Sequence, residues 1–107
     1  IKAIAHITGG GLVENLPRVL PAGTAAEVRL GSWDVPALFR WLQAGGQVPA
    51  ADMLRTFNMG VGLILVATPA HGDGLLQELA ARGGQARIIG EIATGDGEPA
   101  VRYTGTL

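Results

Sequence analysis

Close to the start of the chain, His6, Ile7, Thr8, Gly9, Gly10 and Gly11 follow an apolar run and lead into Leu12, Val13, Glu14, Asn15, Leu16, Pro17 and Arg18. Three successive glycines lose much backbone freedom on folding, so a folded chain holds them for a local reason. One reason is a strand-to-helix turn that needs positive φ. Another is close approach of bare backbone to a ligand, because the first N–H groups of a helix lack partners within it and suit a phosphate or carboxylate. The pattern is neither a Walker A loop nor GxGxxG, so a tight turn without a ligand stays open beside the binding reading. The polar company favours binding: Thr8, Glu14, Asn15 and Arg18 crowd the same stretch, and a guanidinium pairs well with a phosphate.

His6 lies on the Ile4/His6/Thr8 side of the preceding strand, two residues before the loop. It reads either as a structural hydrogen-bonding residue or as an acid–base group, since ligands gather at the carboxyl ends of strands in α/β sheets. A second polar, glycine-rich stretch is Arg55-Thr56-Phe57-Asn58-Met59-Gly60-Val61-Gly62. Asn58 and Gly60 there form a bulge or turn, or else Thr56 and Asn58 face the same cleft as the glycine loop. Phe57 and Met59 read as packing residues. The alternation of Gly60 and Gly62 leaves one side of the chain bare, as happens where another backbone or a ligand comes close. His71, after Pro69, reads as a cap or a solvated residue.

Other chemistries are removed by what is absent. Asp34, Asp52, Asp73, Asp96 and Glu98 are scattered or in turns, so no metal site is expected, and no Ser/His/Asp order or HExxH pattern occurs. The absence of cysteine removes disulfides, thiolate nucleophiles and zinc–thiolate sites, and fits a reducing compartment. Eight basic against nine acidic side chains give a net charge of −1, which argues against a broad basic surface for nucleic acid. The longest apolar run, Val61 to Thr68 with Gly62 inside it, is too short to span a bilayer, and no signal peptide is visible. Neither nucleic acid nor membrane is expected as a partner.

The elements that must position these residues are legible in outline. At 107 residues, 48% hydrophobic and 16% charged, the chain suits one domain with its own core, built mainly on Leu, Val, Ile and Ala because aromatics are few. Lys2 to Thr8 alternates as a strand ending at Gly9. Leu12 to Leu16 suits one or two helical turns, which must end near Leu16 or restart with Pro17 in a first turn. Ala25 to Leu30 reads as a half-exposed strand. Trp33 to Ala44 reads as a helix with Ser32 or Asp34 as N-cap and Leu38, Trp41 and Leu42 at core spacing. A short helix follows at Pro49 to Arg55, then a buried strand in the second half of Arg55 to Thr68. A helix over His71 to Arg82 closes at Gly83-Gly84. Ala86 to Ala93 and Ala100 to Thr104 complete the order β, α, β, α, α, β, α, β, β. The expected class is α/β (α+β), with a single mixed sheet and helices packed on it.

Ala5 to Pro21 ("AHITGGGLVENLPRVLP"), "SWDVPALFRWLQAGGQV" and "RTFNMGVG" together resemble the carboxy-terminal domain of the phosphoribosylformylglycinamidine cyclo-ligase, or aminoimidazole ribonucleotide synthetase, family. The resemblance covers nearly the whole chain. It implies a fragment, residues 1–107, of a longer cytoplasmic ligase of purine biosynthesis that closes the imidazole ring of formylglycinamidine ribonucleotide with ATP. It further implies that ATP and Mg²⁺ sit mainly on an amino-terminal domain absent here, that the full-length enzyme is a homodimer, and that this fragment alone is inactive. By the same resemblance Thr8, Gly9, Gly10, Gly11, Glu14, Asn15, Arg18 and Thr56 would bind substrate or phosphate, and His6 and Asn58 would be the catalytic candidates. Two other readings stay open: a non-catalytic phosphate- or nucleotide-binding domain, and the matching half of another ATP-dependent member of the superfamily.

Overall fold

The computed structural model describes residues 1–107. In chain order it has β1 (Ala3–His6), α1 (Gly11–Asn15), a 3-10 turn (Leu16–Val19), β2 (Thr24–Arg29), α2 (Ala37–Gly46), α3 (Ala50–Thr56) and β3 (Leu63–Val66). A second 3-10 turn (Pro69–His71), α4 (Gly72–Ala81), β4 (Gly90–Thr94) and β5 (Ala100–Thr104) complete it. The mixed α/β class and the order of strands and helices are as expected. Pro17 explains the first break, because a proline inside a helix removes an N–H donor but is tolerated in a first turn. So α1 stops at Asn15 and the 3-10 turn starts at Leu16.

The expectation of a single sheet needs correction. β1 and β3 form a two-stranded antiparallel pair with Ala5 opposite Ile64, and a separate sheet has the order β4-β2-β5. In the second sheet β4 runs antiparallel to β2 and β5 runs parallel to it. Alternation identifies which segments are strands, but it does not say which edges meet. No strand of this chain joins β3 to β4.

The helix expected from Trp33 starts instead at Ala37, with Pro36 extended at its N-cap. The residue before a proline is disfavoured in helical geometry, so Val35 cannot carry the helix backwards. Neither Ser32 nor Asp34 caps it; the Ser32 hydroxyl donates to the Arg29 carbonyl at 2.6 Å. The shift also changes which face is buried. Leu38 and Trp41 are 61% and 71% exposed, and α2 is held instead through Phe39, whose ring packs on Phe57 with centroids 5.5 Å apart. The strand expected from Ala86 is also shorter, beginning at Gly90.

The core gathers around the front of the chain. Ala5 from β1, Ile7 just after it, Leu12 and Leu16 from α1 and its 3-10 turn, and Ala26 and Val28 from β2 meet Trp33, Val35, Met53, Leu54 and Met59. Neither α2 nor α4 buries a residue. On the inward side of β5, Tyr103 stands beside Val28, and its buried hydroxyl has no hydrogen-bond partner.

Burial disfavours the charged phenolate and pushes the Tyr103 pKa up to about 12. In the unfolded chain the phenol ionises near 10.0, so rising pH favours the unfolded state from there until the folded phenol also ionises. Stability is therefore expected to be fully retained below that value and to fall between it and about 12. Tyr103→Phe should flatten this fall and leave neutral-pH stability unchanged or higher by up to about 1 kcal/mol, because no bond is lost. Denaturant unfolding across the alkaline range measures both effects.

Candidate functional site

The three glycines of the loop between β1 and α1 have three different environments. Gly10 and Gly11 adopt φ of 98° and 64°, the left-handed region that other residues enter only with strain. A β-carbon on Gly11 would strike the Leu54 carbonyl and sit 2.9 Å from that of Phe57, so the loop lies directly on the end of α3. A β-carbon on Gly10 would strike the Glu14 side chain, which folds back over the loop, whereas Gly9 faces open space. The Gly11 N–H is already bonded to the Thr8 carbonyl at 3.1 Å; those of Gly9 and Gly10 have no partner in the chain.

Asn15 closes this loop. It is 5% exposed, the one buried polar side chain of the protein. Its amide nitrogen donates to the carbonyls of Thr8, Gly9 and Gly11 at 3.3, 3.2 and 2.8 Å. Its oxygen accepts from the Thr8 hydroxyl at 3.4 Å and from an Arg18 N–H at 3.2 Å. The carboxamide thus has no capacity left for a ligand. Arg18 is exposed and, after its bond to Asn15, keeps further guanidinium donors facing solvent.

The second stretch is fixed from below by a tryptophan. The indole N–H of Trp33 donates to the Met59 carbonyl at 3.0 Å inside the core. Met59 is buried at φ 53°, a left-handed conformation rare for a long side chain. The Asn58 side-chain oxygen accepts the Gly60 N–H at 2.9 Å, and a β-carbon on Gly60 would run into the Pro36 ring. Together these hold an Asn58–Gly60 turn, the plain alternative raised by the sequence, yet leave the Asn58 amide nitrogen free. Gly62 meets nothing within 4 Å, so the bare side inferred from alternating glycines is explained by Pro36 at Gly60 alone. The Ile7 N–H donates to the Gly62 carbonyl at 2.9 Å, tying the strand before the glycine loop to this stretch.

The two motifs therefore form one surface at the carboxyl end of β1. His6 sits at that end, exposed, opposite Leu63. Thr56 is exposed and Asn58 half-buried, just past the α3 carbonyls that the loop rests on. His71 is exposed at the N-cap position of α4, makes no side-chain cap bond there, and its ring contacts the Thr68 hydroxyl at 2.7 Å. Trp33 and Met59 were not singled out by sequence reasoning as site residues. Pro36 was the available signal: a helix that cannot begin before it frees Trp33 to turn inward.

Chemically, the free Gly9 and Gly10 N–H groups and the Arg18 guanidinium fit an anionic oxygen. Glu14 beside Gly10 opposes a second negative charge there, so an anion would have to displace it. No group of three or more His, Asp or Glu side chains that could hold a metal occurs, and the donor set does not fit Mg²⁺, which needs carboxylate oxygens. Gly11→Ala forces a β-carbon onto two carbonyls at positive φ, and the expected loss is about 3 kcal/mol or more in denaturant unfolding. Gly9→Ala, at an open site with ordinary φ, is expected to cost less than about 1 kcal/mol.

No helix of the structure is long and apolar enough to cross a membrane. A family model described as "AIR synthase related protein, C-terminal domain" matches residues 1–102. The chain is 52% identical over 92 residues to the phosphoribosylformylglycinamidine cyclo-ligase of Trichlorobacter lovleyi, covering 86% of this chain and 26% of that protein. It is 50% identical over 100 residues to the chloroplastic/mitochondrial enzyme of the same name from Vigna unguiculata, covering 91% of this chain and 25% of that protein. The chain thus spans about a quarter of the length of these relatives.

Proposed function

Because this chain belongs to the AIR synthase related C-terminal domain family, we propose that it is one wall of the active site of a phosphoribosylformylglycinamidine cyclo-ligase. The reaction would convert formylglycinamidine ribonucleotide to aminoimidazole ribonucleotide, with ATP and Mg²⁺ held mainly by another domain of the same enzyme. The observation that carries this reading is the seating of the Thr8–Gly11 loop on the end of α3, which joins the two family motifs into one surface. A cytoplasmic homodimer is the assembly this reading takes.

ATP, when bound, supplies the phosphoryl group that turns the amide oxygen into a leaving group. The residues of this chain position and neutralise rather than act as strong bases, which suffices for phosphoryl transfer. In this reading Gly9, Gly10 and Arg18 hold a phosphate of substrate or nucleotide, with Thr8 and Glu14 at its edge. Asn15 and Gly11 set the loop shape. His6 polarises the reacting amide or handles its proton, with the free Asn58 amide and the Thr56 hydroxyl in support.

In the full-length gene product, His6→Ala and Asn58→Ala are expected to lower kcat/KM by about 100-fold, the usual size for loss of a proton-handling or oxyanion-stabilising group. Thermal unfolding should be little changed in His6→Ala, since the imidazole has no partner. Steady-state ring closure, followed by ATP consumption and aminoimidazole formation, is the measurement; unchanged kinetics in both variants would sink the assignment. The 107-residue chain alone is expected to show no turnover.

A further inference from the structure

The largest concavity of the molecule is not at the glycine loop. It is a cleft of about 990 Å³ between β3, α4 and the segment leading into β4. All four residues of β3, Leu63 to Val66, line it, as do Arg87 to Ile92 in unbroken succession. Ala26 to Arg29 of β2 and Gly60 to Gly62 line it as well. β2 is bonded on both edges, whereas β3 and β4 each keep one edge without a partner, since β3 bonds only to β1 and β4 only to β2.

Three further features converge on the same space. Arg87, Ile88 and Ile89 have strand-type sequence, yet they form no strand, and Ile88 is 50% exposed. Ile92 faces the same side of its sheet as buried Ala26 but is itself 38% exposed. Leu75, Leu76 and Leu79 of α4 also line the cleft and remain only half-buried. Open strand edges beside apolar walls invite strand addition, which supplies backbone bonds to the edge and apolar cover to the walls.

We propose that this cleft receives a β-strand from a segment of the same polypeptide lying outside these 107 residues. The strand would pair with β3, with β4 and its Arg87–Ile89 extension, or with both. Pairing with both would merge the two sheets into one. The relatives are about four times as long as the matched region, so ample chain exists in such proteins to supply it. A second copy of this chain is the rival occupant, and the crosslink described below separates the two. The inference concerns folding of the domain and stands independently of the cyclo-ligase reading.

Hydrogen exchange on the full-length gene product tests it directly. The amides of Leu63–Val66 and Ile88–Thr94 should exchange as slowly as those of the central strand β2, rather than as fast as the exposed Asp96–Glu98 turn. A photo-crosslinking amino acid in place of Leu76 should form an intramolecular bond to a peptide outside residues 1–107. Fast exchange at both edges, a crosslink to a second copy, or a gene product no longer than this chain would each overturn the proposal.

Discussion

The Asn15 carboxamide is the interaction on which the candidate functional surface depends. One amide nitrogen gathers the carbonyls of Thr8, Gly9 and Gly11, and one oxygen takes the Thr8 hydroxyl and the Arg18 guanidinium. Buried carbonyls without donors are costly, so a loop that turns its carbonyls inward needs such a donor. With those carbonyls held inside, the Gly9 and Gly10 N–H groups remain free at the loop. The same residue ties Arg18 to the loop, so the guanidinium is placed by a buried group and not by its own long side chain.

A second buried polar contact performs the equivalent task on the other motif. The Trp33 indole fixes the Met59 carbonyl, and Met59 accepts a left-handed backbone that it would not adopt unaided. That turn orients Asn58. Between the two, Gly11 lets the glycine loop rest on the α3 carbonyls without a side chain intervening. The two motifs are nearly forty residues apart in sequence, and their contact is made through backbone. The cost of the left-handed residues is offset by a core in which Ile7, Leu12, Met53 and Met59 are almost fully buried.

The distribution of order along the chain follows from where that core lies. Residues before β3 supply every member of it. The later elements, β3, α4 and β4, border the large cleft instead, with apolar side chains half exposed and strand edges unpaired. A domain so divided is firm under the glycine loop and open along the cleft, which reaches the second motif at Gly60 to Gly62. The two curated relatives are about four times the matched length.

The sequence by itself determined the kind of each element, their order, and the two candidate stretches for a site. These are local properties: alternation marks β1, β2 and β5, and Pro17 enforces the break after α1. Pro36 also held information, since it required α2 to start later than helical spacing alone suggested. Family resemblance then tied the two stretches to one surface. Only the tertiary structure decided that Asn15 is buried and saturated, that Gly11 serves packing while Gly9 and Gly10 keep free N–H groups, and that Leu38 and Trp41 face outward. It also decided that the strands divide into two sheets. Each of these depends on which distant groups approach one another, on carbonyl directions and unpaired edges, and neither composition nor periodicity encodes those.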